Sequence, residues 1–265
     1  MKPGADLNPP GALVRRNDPD RFLATLFAPA SARETLFVLY AFNLELARAC
    51  EAPREPHASL IRLAWWREVV EGAARRHEVA TPLAASLAEG RLDRAALLAL
   101  IDARESEVAP EFATLADWRA HLIATQGGLA AAAGKVLGAE GAAPALRFFG
   151  AAYGAARLLG SIPALARRGR VLLPADILAA YRLSPEAVIA TPDAPALAPV
   201  RARLASEAAT WLAEARRSKL PRAALPAALP AVLAARDLRR PGETPRPRGL
   251  GARLSVLMAA LRGRV

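Results

Sequence analysis

An all-α fold is predicted by three features of the 265-residue chain. Hydrophobic residues make up 53% of it but aromatics only 5%, so the core must be built from Ala, Leu and Val, and the first two are strong helix formers. Val, Ile and Thr are too scattered to mark strands. Apolar residues recur at helical spacing between Pro- and Gly-rich breaks, the mark of consecutive helices. Charged residues are 23%, so a filled core is expected rather than disorder. No repeat or internal boundary divides the chain.

Residues 1–17 are rich in Pro and Gly and read as a flexible lead-in to a domain over 18–265. Asp18-Pro19 starts a helix to about Ala28, because the carboxylate can accept from free first-turn amides and proline suits that turn. Phe22, Leu23, Leu26 and Phe27 share one face, and Pro29 stops it. Ser31-Ala32-Arg33-Glu34 fits a capping box. It opens a helix to about Cys50 whose Leu36, Val38, Leu39, Phe42 and Leu46 cover enough of its girth for near-complete burial. Pro53 and Pro56 end it. Over His57 to about His77 the predicted buried stripe is Leu60, Ile61, Ala64, Trp65 and Val69, with Trp65 in the core and His77 solvated.

Pro82–Glu89 and Asp93–Glu107 read as shorter helices split by Gly90, and Pro110 breaks the chain. Thr114 begins a long helix to about Leu137. Its Gly127, Gly128 and Gly134 each cost about 1 kcal/mol relative to Ala, which implies close helix approach or room for a ligand. Ala142 to about Ser161 is the next helix, and it runs into an arginine turn, Arg167-Arg168-Gly169-Arg170. Pro174 and Ser184-Pro185 start two short helices. An amphipathic helix follows over Val200–Lys219, another over Leu229–Leu238, then an exposed Arg/Pro loop. The last helix, Leu250–Leu261, is apolar and flanked by Arg248, Arg253, Arg262 and Arg264; it either docks on the bundle or seeks an anionic surface.

The net charge is +11, which attracts nucleic acid or an anionic membrane in principle. All the cations except Lys2, Lys135 and Lys219 are arginine, which fits compositional bias, and no basic–aromatic interleaving of the strand-binding kind occurs. Nucleic acid is therefore not expected as a partner; peripheral membrane contact stays open. The lone Cys50 excludes an internal disulfide and a cysteine zinc site, and His57, His77 and His121 lack ligand spacing. The first residues show no apolar run of signal-peptide length, and no 18-residue apolar run occurs. A cytoplasmic protein, peripheral to the inner membrane at most, is expected.

Four stretches together resemble the squalene/phytoene synthase family: Arg21 to Glu51 with its Tyr40-Ala41-Phe42, the Trp65-Trp66 helix, the Gly127–Gly138 helix, and Arg167 to Leu178. The resemblance spans roughly residues 18 to 240. It implies a single-domain isoprenoid-synthase-type bundle around a central cavity, and a head-to-head prenyltransferase if the site is intact. That chemistry needs two aspartate pairs holding Mg²⁺ against a diphosphate leaving group. Aligned on the shared segments, the first motif falls on Ala47, Arg48 and Glu51 and the second on Ser161 and Leu165. No Asp or Glu lies between Gly141 and Ala175. The resemblance thus implies no catalytic residues, a lost Mg²⁺ site and no cofactor. The chain is similar to the family's non-catalytic branch, which includes a mitochondrial assembly factor for respiratory complex I. A protein partner, either a respiratory-complex subunit or an assembly intermediate, is expected. A second reading stays open: an isoprenoid or lipid ligand, or a prenyl diphosphate gripped without metal by Arg157, Arg167, Arg168 and Arg170. Tyr40, Asn43, Glu51, Gln126, Arg157, Arg168 and Arg170 are the candidate cavity or anion-binding residues.

Overall fold

The computed structural model describes residues 7–51, 56–108, 112–242 and 248–265. Pro53, Pro110, the first six residues and the centre of the Arg/Pro loop lie outside them. Among the described residues there are helices and turns but no strand. The helices are α1 (Pro9–Asn17), α2 (Pro19–Thr25), α3 (Ala30–Ala49), α4 (Pro56–Glu71), α5 (Ala80–Ala88), α6 (Arg94–Glu105), α7 (Leu115–Leu122) and α8 (Gly128–Val136). They continue with α9 (Ala143–Ala166), α10 (Ala175–Ala180), α11 (Pro185–Ala190), α12 (Ala198–Arg217), α13 (Leu225–Ala228), α14 (Pro230–Asp237) and α15 (Leu250–Arg262). A single π turn, Ile123–Gly127, joins α7 to α8, so the long helix predicted from Thr114 is continuous but widened at its middle.

The axis of the bundle is α9. Helices α7, α8, α12, α13 and α14 and the π turn all pack on it. Its buried positions include Gly150, Ala151, Ala152, Gly154, Ala155 and Ala156, small residues that let neighbouring backbones come close. The glycines of the α7–α8 helix serve that approach: a Cβ on Gly127 would sit 2.5 Å from the Arg147 carbonyl oxygen, and one on Gly134 2.3 Å from Leu146 Cδ1. Helix α9 continues past Ser161 and through Pro163. The proline cannot donate to the Leu159 carbonyl and its ring crowds that group, so its cost falls on the turn before it, while the turn after it continues to Ala166. Helix α3 is buried on every side from Thr35 to Asn43, as its all-round apolar sequence requires. Trp118 and Trp211 meet at 5.6 Å between ring centroids, joining α7 to α12.

Four expectations need correction. Residues 9–17 are a helix, not a lead-in: Asn8 Oδ1 accepts from the Gly11 amide at 2.9 Å, two prolines occupy the first turn, and Leu13 and Val14 are buried against α3. Ser31 is not a cap, because α3 already begins at Ala30 after an extended Pro29 and has no side-chain cap. The buried stripe of α4 is Ser59, Leu63, Trp66, Val69 and Val70, while Ile61 is 69% exposed. Adjacent apolar residues offered two competing stripes, and the one that seats Trp66 edge-on against Phe42, at 5.5 Å, is the one adopted; Trp65 is half-buried. His77 is not simply solvated. Its Nδ1 accepts from the Val79 amide at 3.1 Å, and its ring lies edge-on to Trp65 and Trp66.

Candidate functional site

The predicted site residues fall into separate groups. Near the α2 end of the bundle, Asp18 caps its helix as expected, accepting from the Arg21 amide at 3.1 Å. It also binds the Arg21 guanidinium at 2.8 Å. Arg21 reaches on to Gln126 Oε1 in the π turn, at 2.8 Å, and lies over the rings of Tyr40 and Tyr153. The Tyr153 hydroxyl donates towards Asp18 and Asp20 at 3.3 and 3.2 Å. Asp20 in turn holds Arg248, which also grips Asp237 at 2.7 Å. This network fastens α2, α9, α14 and the entry to α15 together. Burial raises the Tyr40 phenol to about 12 even though Arg21 pulls the other way, and burial beside Asp18 and Asp20 pushes Tyr153 well above its ordinary value.

The second group lies under the arginine turn. Asn43 Oδ1 accepts from Arg104 at 2.9 Å. Arg104 pairs with Glu107 at 2.6 Å and His121 Nε2 lies 3.1 Å from the same carboxylate. Arg170 is buried and donates to the Glu107 carbonyl at 2.9 Å. Burial alone would raise the Glu107 carboxyl, yet Arg104, His121 and Arg170 hold it at about 2. Burial, with Glu107 nearby, raises the Cys50 thiol to about 12, so it is no ready nucleophile. The stretch from Arg170 onward is a seam: Trp118 Nε1 donates to the Leu172 carbonyl at 3.1 Å, and the Ala175 amide to the Phe112 carbonyl at 2.8 Å.

The third group is the rim. Glu51, at the exit of α3, pairs with Arg168 at 2.9 Å, so the ends of α3 and α9 do meet. Both side chains are about half exposed, at 45% and 53%, and such pairs contribute about 0–1 kcal/mol. Arg168→Ala is therefore expected to lower the melting temperature by less than about 4 °C; a larger fall in a thermal scan would mean that the rim carries structure. Arg48 is exposed and paired with Glu45 at 2.6 Å, and the Ser161 hydroxyl donates back to the Arg157 carbonyl at 2.7 Å. Leu165 packs against the core. Arg48 also lines a groove of about 440 Å³ between α3 and α4, with Ile61, Arg62, Trp65, Trp66 and His77. Arg168 and Arg170 do not converge: Arg168 turns to Glu51 while Arg170 turns inward to Glu107. Among the described residues, no group of three or more His, Cys, Asp or Glu side chains is placed to hold a metal.

The family model for squalene/phytoene synthase matches residues 14–258. The chain belongs to the squalene/phytoene synthase family. Two solved structures carry the same fold: a dehydrosqualene synthase in complex with ligand (TM-score 0.78, 11% identity, 96% of this chain and 94% of that one), and a squalene synthase from Alicyclobacillus acidocaldarius (TM-score 0.73, 18% identity, 89% and 94%). Among curated proteins, the chain is 28% identical over 229 residues to the Rattus norvegicus protein named NADH dehydrogenase (ubiquinone) complex I, assembly factor 6, covering 83% of this chain and 69% of that protein. Against the Homo sapiens protein of the same name it is 28% identical over 181 residues, 66% of this chain and 54% of the other. A Drosophila melanogaster homologue is 27% identical over 202 residues. The chain thus spans between about half and two thirds of the length of these relatives. No helix among its described residues is long and apolar enough to cross a membrane.

The residues that bind these squalene/phytoene-synthase elements together, Arg21, Asp20, Tyr153, Arg104, Glu107 and Arg248, carry no local sequence signal. Among their partners, Asp18 was legible as a cap, and Tyr40, Asn43, Gln126 and Arg170 were named through the family resemblance, as cavity or anion-binding residues and not as links between helices.

Proposed function

We propose that this chain is a non-catalytic member of its family that works as an assembly factor, with respiratory complex I as its client. The observation that carries the reading is the rim. Mg²⁺ demands several oxygen ligands in near-octahedral array. The positions that the family resemblance assigns to its ligands hold Ala47, Arg48, Ser161 and Leu165, and the one carboxylate, Glu51, is engaged by Arg168 at 2.9 Å. The residues present do not fit the ion, so no diphosphate departure is derived through it. The relatives named as complex I assembly factors support the partner. The alternative, a prenyl diphosphate held by arginines alone, needs converging guanidinium groups, and the separate engagements of Arg168 and Arg170 weigh against it.

Incubation of the purified chain with farnesyl or geranylgeranyl diphosphate and Mg²⁺ should release diphosphate no faster than the protein-free control. Release above background that depends on Mg²⁺ would sink the non-catalytic reading. Deleting the gene should lower membrane NADH:ubiquinone oxidoreductase activity, and tagged protein should capture subunits of that complex; normal activity together with no capture would remove the assembly role.

A further inference from the structure

Helix α15 carries two apolar faces, and the fold uses one. Ala252 and Val256 pack with Ala24, Leu229 and Leu233 of α2 and the α13–α14 segment, and Arg248, locked to Asp20 and Asp237, fixes where the helix begins. On the other side Leu250, Leu254, Leu257, Met258 and Leu261 are exposed, Leu250 by 78% and Leu261 by 65%. At 100° per residue these five fall within a sector roughly 100° wide, on the side away from the docked residues. The exposed Arg253 and Arg262 flank the sector, one on each side, and Arg264 follows. No Asp or Glu occurs between residues 248 and 265.

We infer that this face of α15 docks the protein in the plane of an anionic lipid bilayer. An apolar stripe bordered by arginines is the arrangement that lets leucines enter the acyl boundary while guanidinium groups stay at the headgroups. Charge decides among occupants. A second copy would bring the same arginines, on a chain of net charge +11, against these, whereas anionic headgroups neutralise them. The geometry also fixes the mode. Thirteen residues span about 20 Å, short of the roughly 30 Å hydrocarbon core, and one face is committed to the bundle, so the helix lies in the interface.

The test is cosedimentation of the full chain with vesicles of phosphatidylcholine alone and of phosphatidylcholine with phosphatidylglycerol. Binding to the anionic vesicles should be at least tenfold tighter and should weaken in high salt. The pair Leu254→Asp and Leu261→Asp should lower it at least tenfold at unchanged melting temperature, and Ile61→Asp, on the exposed face of α4, should leave it intact. Should the aspartate pair fail to fold, Arg253→Gln with Arg262→Gln should still abolish the preference for anionic vesicles. Absent binding, binding unaffected by these changes, or a dimer that the aspartate pair dissolves without any vesicle association would overturn the inference.

Discussion

Glu107→Ala is expected to destabilise the fold by about 3–5 kcal/mol, the usual cost of removing one partner from a buried ion pair, and so to lower the melting temperature on the order of 10 °C. The Glu107 side chain is 8% exposed and its partner Arg104 6%. Without the carboxylate, Arg104 keeps only the Asn43 oxygen at 2.9 Å, and a guanidinium charge is left in the interior beside buried Cys50 and Arg170. Glu107→Gln should cost less, because its amide oxygen can still accept from Arg104 and His121. The carboxyl is held at about 2 against an ordinary 4.5. A depressed carboxylate stabilises the folded state above its unfolded value, and that contribution fades as pH falls from about 4.5 towards 2. The glutamine variant should therefore lose less stability than the parent over that interval. Equal urea midpoints for parent and Glu107→Ala at pH 7, or identical acid titrations for parent and Glu107→Gln, would show that the cluster does not hold the arginine turn in place.

Local rules made most of the helices legible. Asp18, Asp93, Thr114 and Ser184 each accept from a first-turn amide, and a short polar side chain before an apolar run is a signal contained within four residues. The family resemblance was legible for a related reason: each of its segments is a short contiguous run, read without knowing what it packs against. What joins the helices was not. Arg104 and Asn43 are 61 positions apart, Arg21 and Gln126 are 105 apart, and Arg248 and Asp20 are 228 apart. No periodicity within one helix reports a partner at that distance. Leu13 and Val14 were missed because prolines and glycines outweighed two apolar residues, although Pro9 and Pro10 stand where a helix accepts them. In α4 both stripes were apolar, so burial was settled by the neighbour, Phe42, and not by the helix itself.

Gly150→Ala is expected to destabilise by about 1–3 kcal/mol, the range for overpacking a filled core, although alanine is the better helix former by about 1 kcal/mol. The sign follows from what surrounds the position. A Cβ there would lie 2.3 Å from the Gln126 carbonyl oxygen and 2.8 Å from Ala130 Cβ. The first contact is backbone of the π turn, and neither can swing aside as the end of a long side chain would. Gly154→Ala meets Gln126 through its side chain instead, at 2.5 Å from Cγ. Moving that side chain should relieve this contact, at the expense of the 2.8 Å bond that Gln126 accepts from Arg21. It leaves the 2.8 Å contact with Gln126 Cβ, which the backbone fixes, so the cost is smaller than at Gly150 and not zero. Gly141→Ala, with nothing within 4 Å and no left-handed backbone, is the control and should be neutral or slightly stabilising. Urea midpoints ordered Gly141→Ala, then Gly154→Ala, then Gly150→Ala are the expected result. A Gly150→Ala chain as stable as the parent would mean that the π turn can retreat from α9. In a chain so rich in alanine, glycine at this one crossing is what allows the two longest helical segments to touch backbone to backbone, and the widened turn places Gln126 at that contact and within reach of Arg21.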